Sequence, residues 1–481
     1  MKNDKYEVVI GLEVHAQLLT KSKLFCGDAA SFGAEPNTHI SPITLAHPGT
    51  LPKMNKKAIE YAIKLGLALH CEIEQKNYFA RKNYFYPDLP KGYQISQHTT
   101  PICKNGFVLV RVNDTERNIR LNRIHIEEDA GKSLHDVDEN YTAIDLNRAG
   151  VPLLEIVSEP DIHSSDEAFA YITSLRKLVR WLNICDGNME EGSMRCDANI
   201  SIRLKGETKL GTRVEVKNLN SIRNVKRAID VEVDRLIAIT EAGEKIIQET
   251  RSYDADNNST FSLRSKEEAD DYRYFPDPDL TPFHITDEYL IAIKNALPEL
   301  PESLEQKYQQ AFHLPVYDAQ IICSDKSSVD YFESIIRHTS NYKAAANWMM
   351  GPIRSYLNEN NQEFSQFILP SEKIAELIQL VDSGKINFGI ASGKVFHALL
   401  QSPGENALDL ATSLNLLQES DSGSIAAWVD EVIAKMPDKV KEYRSGKKGL
   451  IGLFAREVKK LSKGKADMQV TNKLLAEKLS Q

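Results

Sequence analysis

Glu13 and His15 stand two residues apart in the run Gly11-Leu12-Glu13-Val14-His15. On a strand, alternate side chains share a face, so this spacing sets a carboxylate beside an imidazole. Three further strings add groups of the same kind. His125 to Lys132 (HIEEDAGK) carries three consecutive acids, Glu127, Glu128 and Asp129, after an apolar strand. Adjacent charges of one sign are costly unless solvated or neutralised by a cation. In Met194 to Arg203, Arg195, Asp197 and Asn199 share one face, with Cys196 and Ala198 on the other. In Arg213 to Ser221, Glu215 and Lys217 share a face between apolar neighbours. Singly, each string more often reads as an exposed strand end, a solvated turn or a cross-strand partner of an arginine or lysine. Together they point to a concave, wet sheet surface that holds a metal ion. Oxygen-rich donors favour Mg²⁺, and a histidine among them leaves Mn²⁺ open.

A second cluster runs from Lys76 to Gln97. It interleaves Lys76, Arg81, Lys82 and Lys91 with Tyr78, Phe79, Tyr84, Phe85, Tyr86 and Tyr93. Aromatic and basic groups together can stack on a base or sugar and hold a phosphate, and Pro87, Pro90 and Gly92 would fix the loop. An aromatic core edge with exposed lysines is the plain alternative. The chain has no GxxxxGK[ST] loop, GxSxG elbow, HExxH or GxGxxG, so a nucleotide would be held in some other way.

The elements that must position these residues fall into three modules. Val8 to His15, Asn199 to Arg203 and Arg213 to Lys217 alternate as antiparallel strands. Asn55 caps a helix with Ala58, Ile59, Ala62 and Ile63 on one face. Ser164 and Glu167 form a capping box before Phe169, Ile172, Leu175, Leu178, Val179 and Leu182, and a helix follows Asn220 and Ser221 through Val225, Ile229 and Leu236. Prolines 276, 278, 282, 298 and 301 then interrupt the pattern. Beyond them the spacing predicts helices over Leu304 to Phe312, Val329 to Ile336, Tyr342 to Leu357 and Ser371 to Leu380, and Ser402-Pro403-Gly404 marks another break. Gly449 to Leu461 is amphipathic, with Leu450, Leu453, Phe454, Val458 and Leu461 on one side. The expected fold class is α+β: an antiparallel-sheet cradle domain over 1–295, an all-helical domain over 296–404 and a small helical tail over 405–481.

Composition narrows the class. The 481 residues are 42% hydrophobic and 26% charged, as in ordinary globular proteins of two to four domains. No apolar stretch approaches ~18 residues, so no membrane span is expected. The first residues lack the apolar core of a secretory signal, so a cytoplasmic location is expected. Six cysteines without a CxxC pair fit neither a disulfide framework nor a four-cysteine zinc knuckle. The net charge of −9 disfavours a broad nucleic-acid-binding surface, yet residues 435–481 hold 13 Lys/Arg against 5 Asp/Glu. That basic tail suits phosphate contacts; a solvated lysine-rich helix face is the bland alternative.

In this order, the strings closely resemble the B-subunit family of the aspartyl/glutamyl-tRNA amidotransferases. The likeness runs through GLEVH, SKLFC, FGAEPNT, PGTLP, YFYPDLPKGYQISQ, HIEEDAGK, DLNRAGVPLLEIVSEPD, MRCDANISIR, RVEVKNLNS, ETRSYD and DYRYFPDPDL. It is dense over residues 6–295 and looser beyond, where SGKKGLIGLF and KGKADMQVTNKLL resemble the family's YqeY-like C-terminal domain. The resemblance implies ATP-dependent phosphorylation of the side-chain carboxylate of Glu-tRNA(Gln), Asp-tRNA(Asn) or both. Ammonia would then attack the acyl phosphate, supplied by a glutaminase A subunit in a complex that also holds a small C subunit. It implies that Glu13, His15, Glu128, Asp197 and Glu215 bind metal and carry the chemistry, and that Lys82, Lys91, Arg148 and Lys217 contact ATP or substrate. The tail would grip the tRNA. The sequence departs from the family at two places. A four-cysteine knuckle common in the family is reduced to Cys26, with Asp28, Ser41 and Thr44 at the other positions, so no structural zinc is expected. Phe454-Ala455-Arg456-Glu457 replaces a more apolar run in the tail. An inactive tRNA-docking scaffold and a stand-alone metal-dependent phosphotransferase acting on a small carboxylate are the rival readings.

Overall fold

The computed structural model describes residues 5–113, 115–265, 272–417, 422–462 and 465–480. Two compact units part between Glu299 and Leu300. The first is built on a ten-stranded sheet. Its main strands are β1 (Tyr6–Gln17), β2 (Thr115–Glu128), β3 (Pro152–Ser158), β4 (Met194–Leu204), β5 (Val214–Leu219), β6 (Glu249–Asp254) and β7 (Ser259–Ser265). They lie side by side in the order β7-β6-β5-β4-β1-β3-β2. Every neighbouring pair is antiparallel except β5 and β6.

Alternation sets which face is wet. Along β1 the side chains of Ile10, Leu12, Val14 and Ala16 are buried, and those of β3 (Leu154, Ile156) and β2 (Ile124, Ile126) are buried beside them. Burial of each large one contributes about 2 kcal/mol, whereas a one-residue slip would put Glu13 and His15 into that core. Register is therefore strongly specified. The three longest described helices of this unit are α1 (Lys56–Ala68), α2 (Ser165–Trp181) and α3 (Ile222–Glu241). α1 packs on β2 and β3, α3 packs on β4, and α2 packs on α3 and on strand Phe107–Val112. Their starts follow capping chemistry: Asn55, Ser164 and Ser221 each accept a hydrogen bond from a first-turn N–H. In α2 the buried stripe is Ala168, Tyr171, Ile172, Leu175, Leu178 and Val179. Phe169, expected on it, is 41% exposed, because Ala168 and Tyr171 occupy the inward positions one turn before Ile172 and Leu175.

A small sheet joins Ala80–Asn83 to Tyr93–Ser96 and Phe275–Pro276. It holds the aromatic loop over 84–92 at the first unit's surface.

The second unit is helical. The expected helix over Tyr342 to Leu357 is three pieces, Tyr342–Trp348, a π turn Met349–Ile353 and Arg354–Glu359. Pro352 is the cause: it has no N–H to give the ladder, and its ring clashes with the carbonyl one turn back, which the wider turn relieves. Further on, Ile425, Val429, Phe454, Val458, Leu475 and Leu479 form one core. Phe454 and Ala455 face that core, while Lys441, Arg444, Lys447, Lys448, Arg456, Lys459 and Lys460 are exposed. None of the described helices is long and apolar enough to cross a membrane.

Candidate metal and phosphate site

Strand register brings together residues far apart in the chain, Glu13 and Asp197 among them. His15 on β1 stands opposite Glu155 on β3 and Arg195 on β4. Glu155 in turn stands opposite His125 on β2, so one row reads Arg195, His15, Glu155, His125. Glu13 lies one step along the same face, opposite Asp197. The His15 Nε2 atom is 3.6 Å from Glu13 Oε1, 3.5 Å from Glu155 Oε2 and 3.9 Å from Glu127 Oε1. The His125 Nε2 atom is 3.3 Å from Glu155 Oε2 and 3.5 Å from Glu127 Oε2. Two ligand sets result, Glu13–His15–Glu155 and His125–Glu127–Glu155, each with donor atoms within 4.8 Å of one another. Glu155 belongs to both.

Charge and burial act against each other in the cluster. Burial alone would push the His15 imidazole down, yet its hydrogen bond to Glu155 and the Glu155, Glu127 and Glu13 charges lift it to about 9. His125 is lifted to about 9 against the same burial penalty, by Glu155 first and Glu127 second. Burial also opposes ionisation of Glu155, but the two imidazoles hold its carboxyl well below the usual range. Glu13 is pushed up, by burial and then by repulsion from Glu155. The carboxylates around each imidazole thus outweigh its burial. A mixed oxygen and imidazole donor set of this kind fits a divalent ion such as Mg²⁺ or Mn²⁺.

Cationic groups flank the cluster. Lys217 Nζ lies 2.5 Å from Asp197 Oδ2 and 3.3 Å from Glu215 Oε1. Burial would lower the Lys217 ammonium, but those two carboxylates hold it above its ordinary range. The pairing of β4 with β5 assists: Ala198 pairs with Val216 but Cys196 with Leu219, so β5 carries an extra residue next to Lys217, a bulge that re-aims the strand. Arg195 Nη2 is 2.9 Å from Asp129 Oδ2. Arg148 Nε is 3.8 Å from the same oxygen and donates to the Ala130 carbonyl. His15, Glu127, Asp129, Arg148, Asp197 and Lys217 line one cavity of about 610 Å³.

Of the residues singled out in the sequence, Glu13, His15, Asp197, Glu215, Arg148 and Lys217 are gathered on this face. Glu128, Lys91 and Lys82 stand elsewhere. Glu128 is one residue out of phase with His125 and Glu127; it ion-pairs with Lys91 and accepts the Ile95 N–H. Lys91 and Glu128 line a neighbouring cavity of about 270 Å³. Lys82 Nζ sits over the Tyr272 ring, 4.8 Å from its centroid. Glu155, His125 and Glu127 were not picked as ligands. The alternation in HIEED already puts His125 and Glu127 on one face, and Glu155 is the lone charge in the apolar run PLLEIVS.

At the reduced knuckle, Cys26 is half-buried and within hydrogen-bonding distance of Thr44, whose hydroxyl donates to Asp28. Three of the four knuckle positions therefore bond to one another.

Comparison with known proteins identifies the family. Residues 8–291 match the GatB/GatE catalytic domain and residues 330–479 match the GatB domain. The B subunit of the aspartyl/glutamyl-tRNA(Asn/Gln) amidotransferase of Thermodesulfovibrio yellowstonii is 47% identical over 471 residues, 98% of each chain. Its counterpart in Syntrophotalea carbinolica is 48% identical over 476 residues, and that in Geotalea daltonii 49% over 478, each covering 99% of both chains. The wet face of the sheet, with all its acids and histidines, lies within the matched catalytic domain, and the chain belongs to the GatB family, the B subunits of the aspartyl/glutamyl-tRNA(Asn/Gln) amidotransferases.

Proposed function

We propose that this chain is the component of a tRNA-dependent amidotransferase that activates the side-chain carboxylate of Glu-tRNA(Gln), Asp-tRNA(Asn) or both at the cradle, in the cytoplasm, alongside a glutaminase A subunit and a small C subunit. The observation that carries it is Glu155, shared by two carboxylate–histidine sets within a family-matched catalytic domain.

The reaction supplies the reason for such a site. A carboxylate oxygen is a poor leaving group. Transfer of the ATP γ-phosphoryl group makes an acyl phosphate, and ammonia then displaces phosphate to leave the amide. Phosphoryl transfer asks for positioning and charge neutralisation more than covalent help. Glu13, His15 and Glu155 would hold one divalent ion and His125, Glu127 and Glu155 a second position. Mg²⁺ or Mn²⁺ bound there supplies positive charge beside phosphate oxygens. Lys217 presents an ammonium over the same face, already oriented by Asp197 and Glu215. Arg148 and Arg195, anchored on Asp129, border the cavity with guanidinium donors suited to phosphate or carboxylate. Glu128 and Lys91 lie on the other side of β2 and would act there as a pair. The reduced knuckle would fold without zinc, held by the Cys26–Thr44–Asp28 bonds. The tail's exposed lysines and arginines would hold the tRNA backbone.

The test is amide formation from misacylated tRNA with ATP, Mg²⁺ and ammonium, with and without the two partners. Product that requires tRNA and ATP supports the reading. No product under any combination refutes it, and product without tRNA would favour a stand-alone phosphotransferase.

A further inference from the structure

Beside the cradle lies a row of aromatic rings that the metal and phosphate chemistry does not use. His98 and Tyr274 stack with centroids 4.0 Å apart and planes 6° from parallel. Tyr274 meets Tyr272 at 6.0 Å, Tyr272 meets Tyr84 at 6.1 Å and Tyr84 meets Tyr86 at 6.1 Å, each edge to face. Lys82 Nζ lies over both Tyr272 and Tyr84. Two observations place this row against the ligand cluster. Burial and the Glu127 and Glu155 carboxylates push the Tyr274 hydroxyl up to about 12. Tyr84 lines the same cavity as His15, Asp197 and Lys217. An unmet polar atom lies beside the row: Arg123 Nε is buried without a hydrogen-bond partner. Arg123 shares the cradle face of β2 with His125 and Glu127, two residues from His125. It acts on both His98 and Tyr274 through its charge.

Resting on the reading of the cradle as a phosphoryl-transfer site, we propose that Tyr274 backed by His98, together with Tyr84 and the Arg123 guanidinium, forms the seat for an adenosine. A base stacks on aromatic faces, and a buried guanidinium N–H awaits an acceptor such as a ring nitrogen or ribose oxygen. Burial first, and then the neighbouring Arg123 and His125, lower the His98 imidazole from its ordinary value. Carboxylates over the cradle would repel a bare nucleotide; the row lies to one side of them, where a base can rest while phosphates face cationic groups. The substrates offer adenosine from two sources, ATP and the 3′-terminal adenosine to which the amino acid of an aminoacyl-tRNA is esterified.

Equilibrium binding on the assembled three-component complex tests this without depending on turnover. The probes are ATP, inorganic tripolyphosphate, Glu-tRNA and the same tRNA lacking its terminal adenosine. Tyr274→Leu is expected to raise the Kd for ATP or for intact Glu-tRNA roughly tenfold, with Tyr274→Phe at wild-type affinity. The loss should vanish with tripolyphosphate if ATP is the source, or with the truncated tRNA if the tRNA is. Tyr84→Leu gives the same pattern should Tyr274→Leu fail to fold. Unchanged Kd for both ligands, an equal loss for both, or a loss matched by Tyr274→Phe overturns the adenosine seat. Amide formation by the wild-type complex in that case leaves the function of the cradle standing.

Discussion

Replacing Glu155 by glutamine keeps the side chain's shape and removes the one charge shared by both ligand sets. Glu155 Oε2 lies 3.5 Å from the His15 Nε2 atom and 3.3 Å from that of His125. Both imidazoles are lifted from 6.5 to about 9, and Glu155 stands first among the groups that lift them. Each pKa unit is about 1.4 kcal/mol of interaction with the charged form. Glu155 is one of three carboxylates acting on His15 and one of two acting on His125, so its loss should lower each imidazole by a unit or more, about 3 kcal/mol for the pair. The sign follows from linkage. A histidine raised in the folded state contributes stability that is complete below about 6.5 and is lost as pH rises through about 9. In Glu155→Gln that loss should shift to lower pH. The assay is an isotope-edited NMR titration of the histidine rings in metal-free protein, paired with amide formation in Mg²⁺. Rings still titrating near 9 in the variant would refute the charge argument. Unchanged amide formation would refute the placing of the ion.

Other expectations follow from particular contacts. Metal binding should release protons at pH below about 9, because a ligating imidazole must be neutral; ion binding monitored with a pH indicator at pH 7 reads it, and no release would contradict it. Lys217→Met should lower ATP-dependent amidation at least a hundredfold with tRNA binding kept, and a smaller loss would reduce Lys217 to a structural partner of Asp197. Glu232 is fully buried and pairs with Arg235 and Arg251, which also share Glu249, so Glu232→Ala, which leaves both guanidiniums to Glu249 alone, should cost about 2 kcal/mol in urea unfolding of the first unit. Purified protein should contain no stoichiometric zinc by elemental analysis, since one thiolate among oxygen groups cannot make a tetrahedral zinc site. Removing residues 435–481 should weaken tRNA binding and flatten its salt dependence, and an unchanged slope would make the tail a plain solvated bundle.

Much of the fold was written in periodicity. Gly11 to His15, Met194 to Arg203 and Arg213 to Lys217 alternate cleanly because one face of each strand is wet, and Asn55, Ser164 and Ser221 announce their helices by capping. The site was legible only where polar residues interrupt that alternation. Glu155 was missed because Leu153, Leu154, Ile156 and Val157 surround it, and a strand buried on both faces shows no alternation to mark which face a charge takes. Only register, pairing it with His15 and His125 from strands far apart in the chain, reveals its position. Glu128 enters as a ligand through the family resemblance, and a string of three acids does not show their phase: on the strand Glu127 faces the cradle and Glu128 pairs with Lys91. The π turn at Pro352 was hidden for another reason, since the spacing of Ala345, Met349 and Ile353 remains helical across it.

The central claim is that the cradle phosphorylates a carboxylate carried by tRNA, and its most direct test is ADP release from ATP and Mg²⁺ with ammonia withheld. Release that appears only with Glu-tRNA(Gln) or Asp-tRNA(Asn), and disappears in both Glu155→Gln and His15→Ala complexes that still bind that tRNA, is the predicted result. Release that is indifferent to the aminoacyl group, or that survives both substitutions, would contradict it.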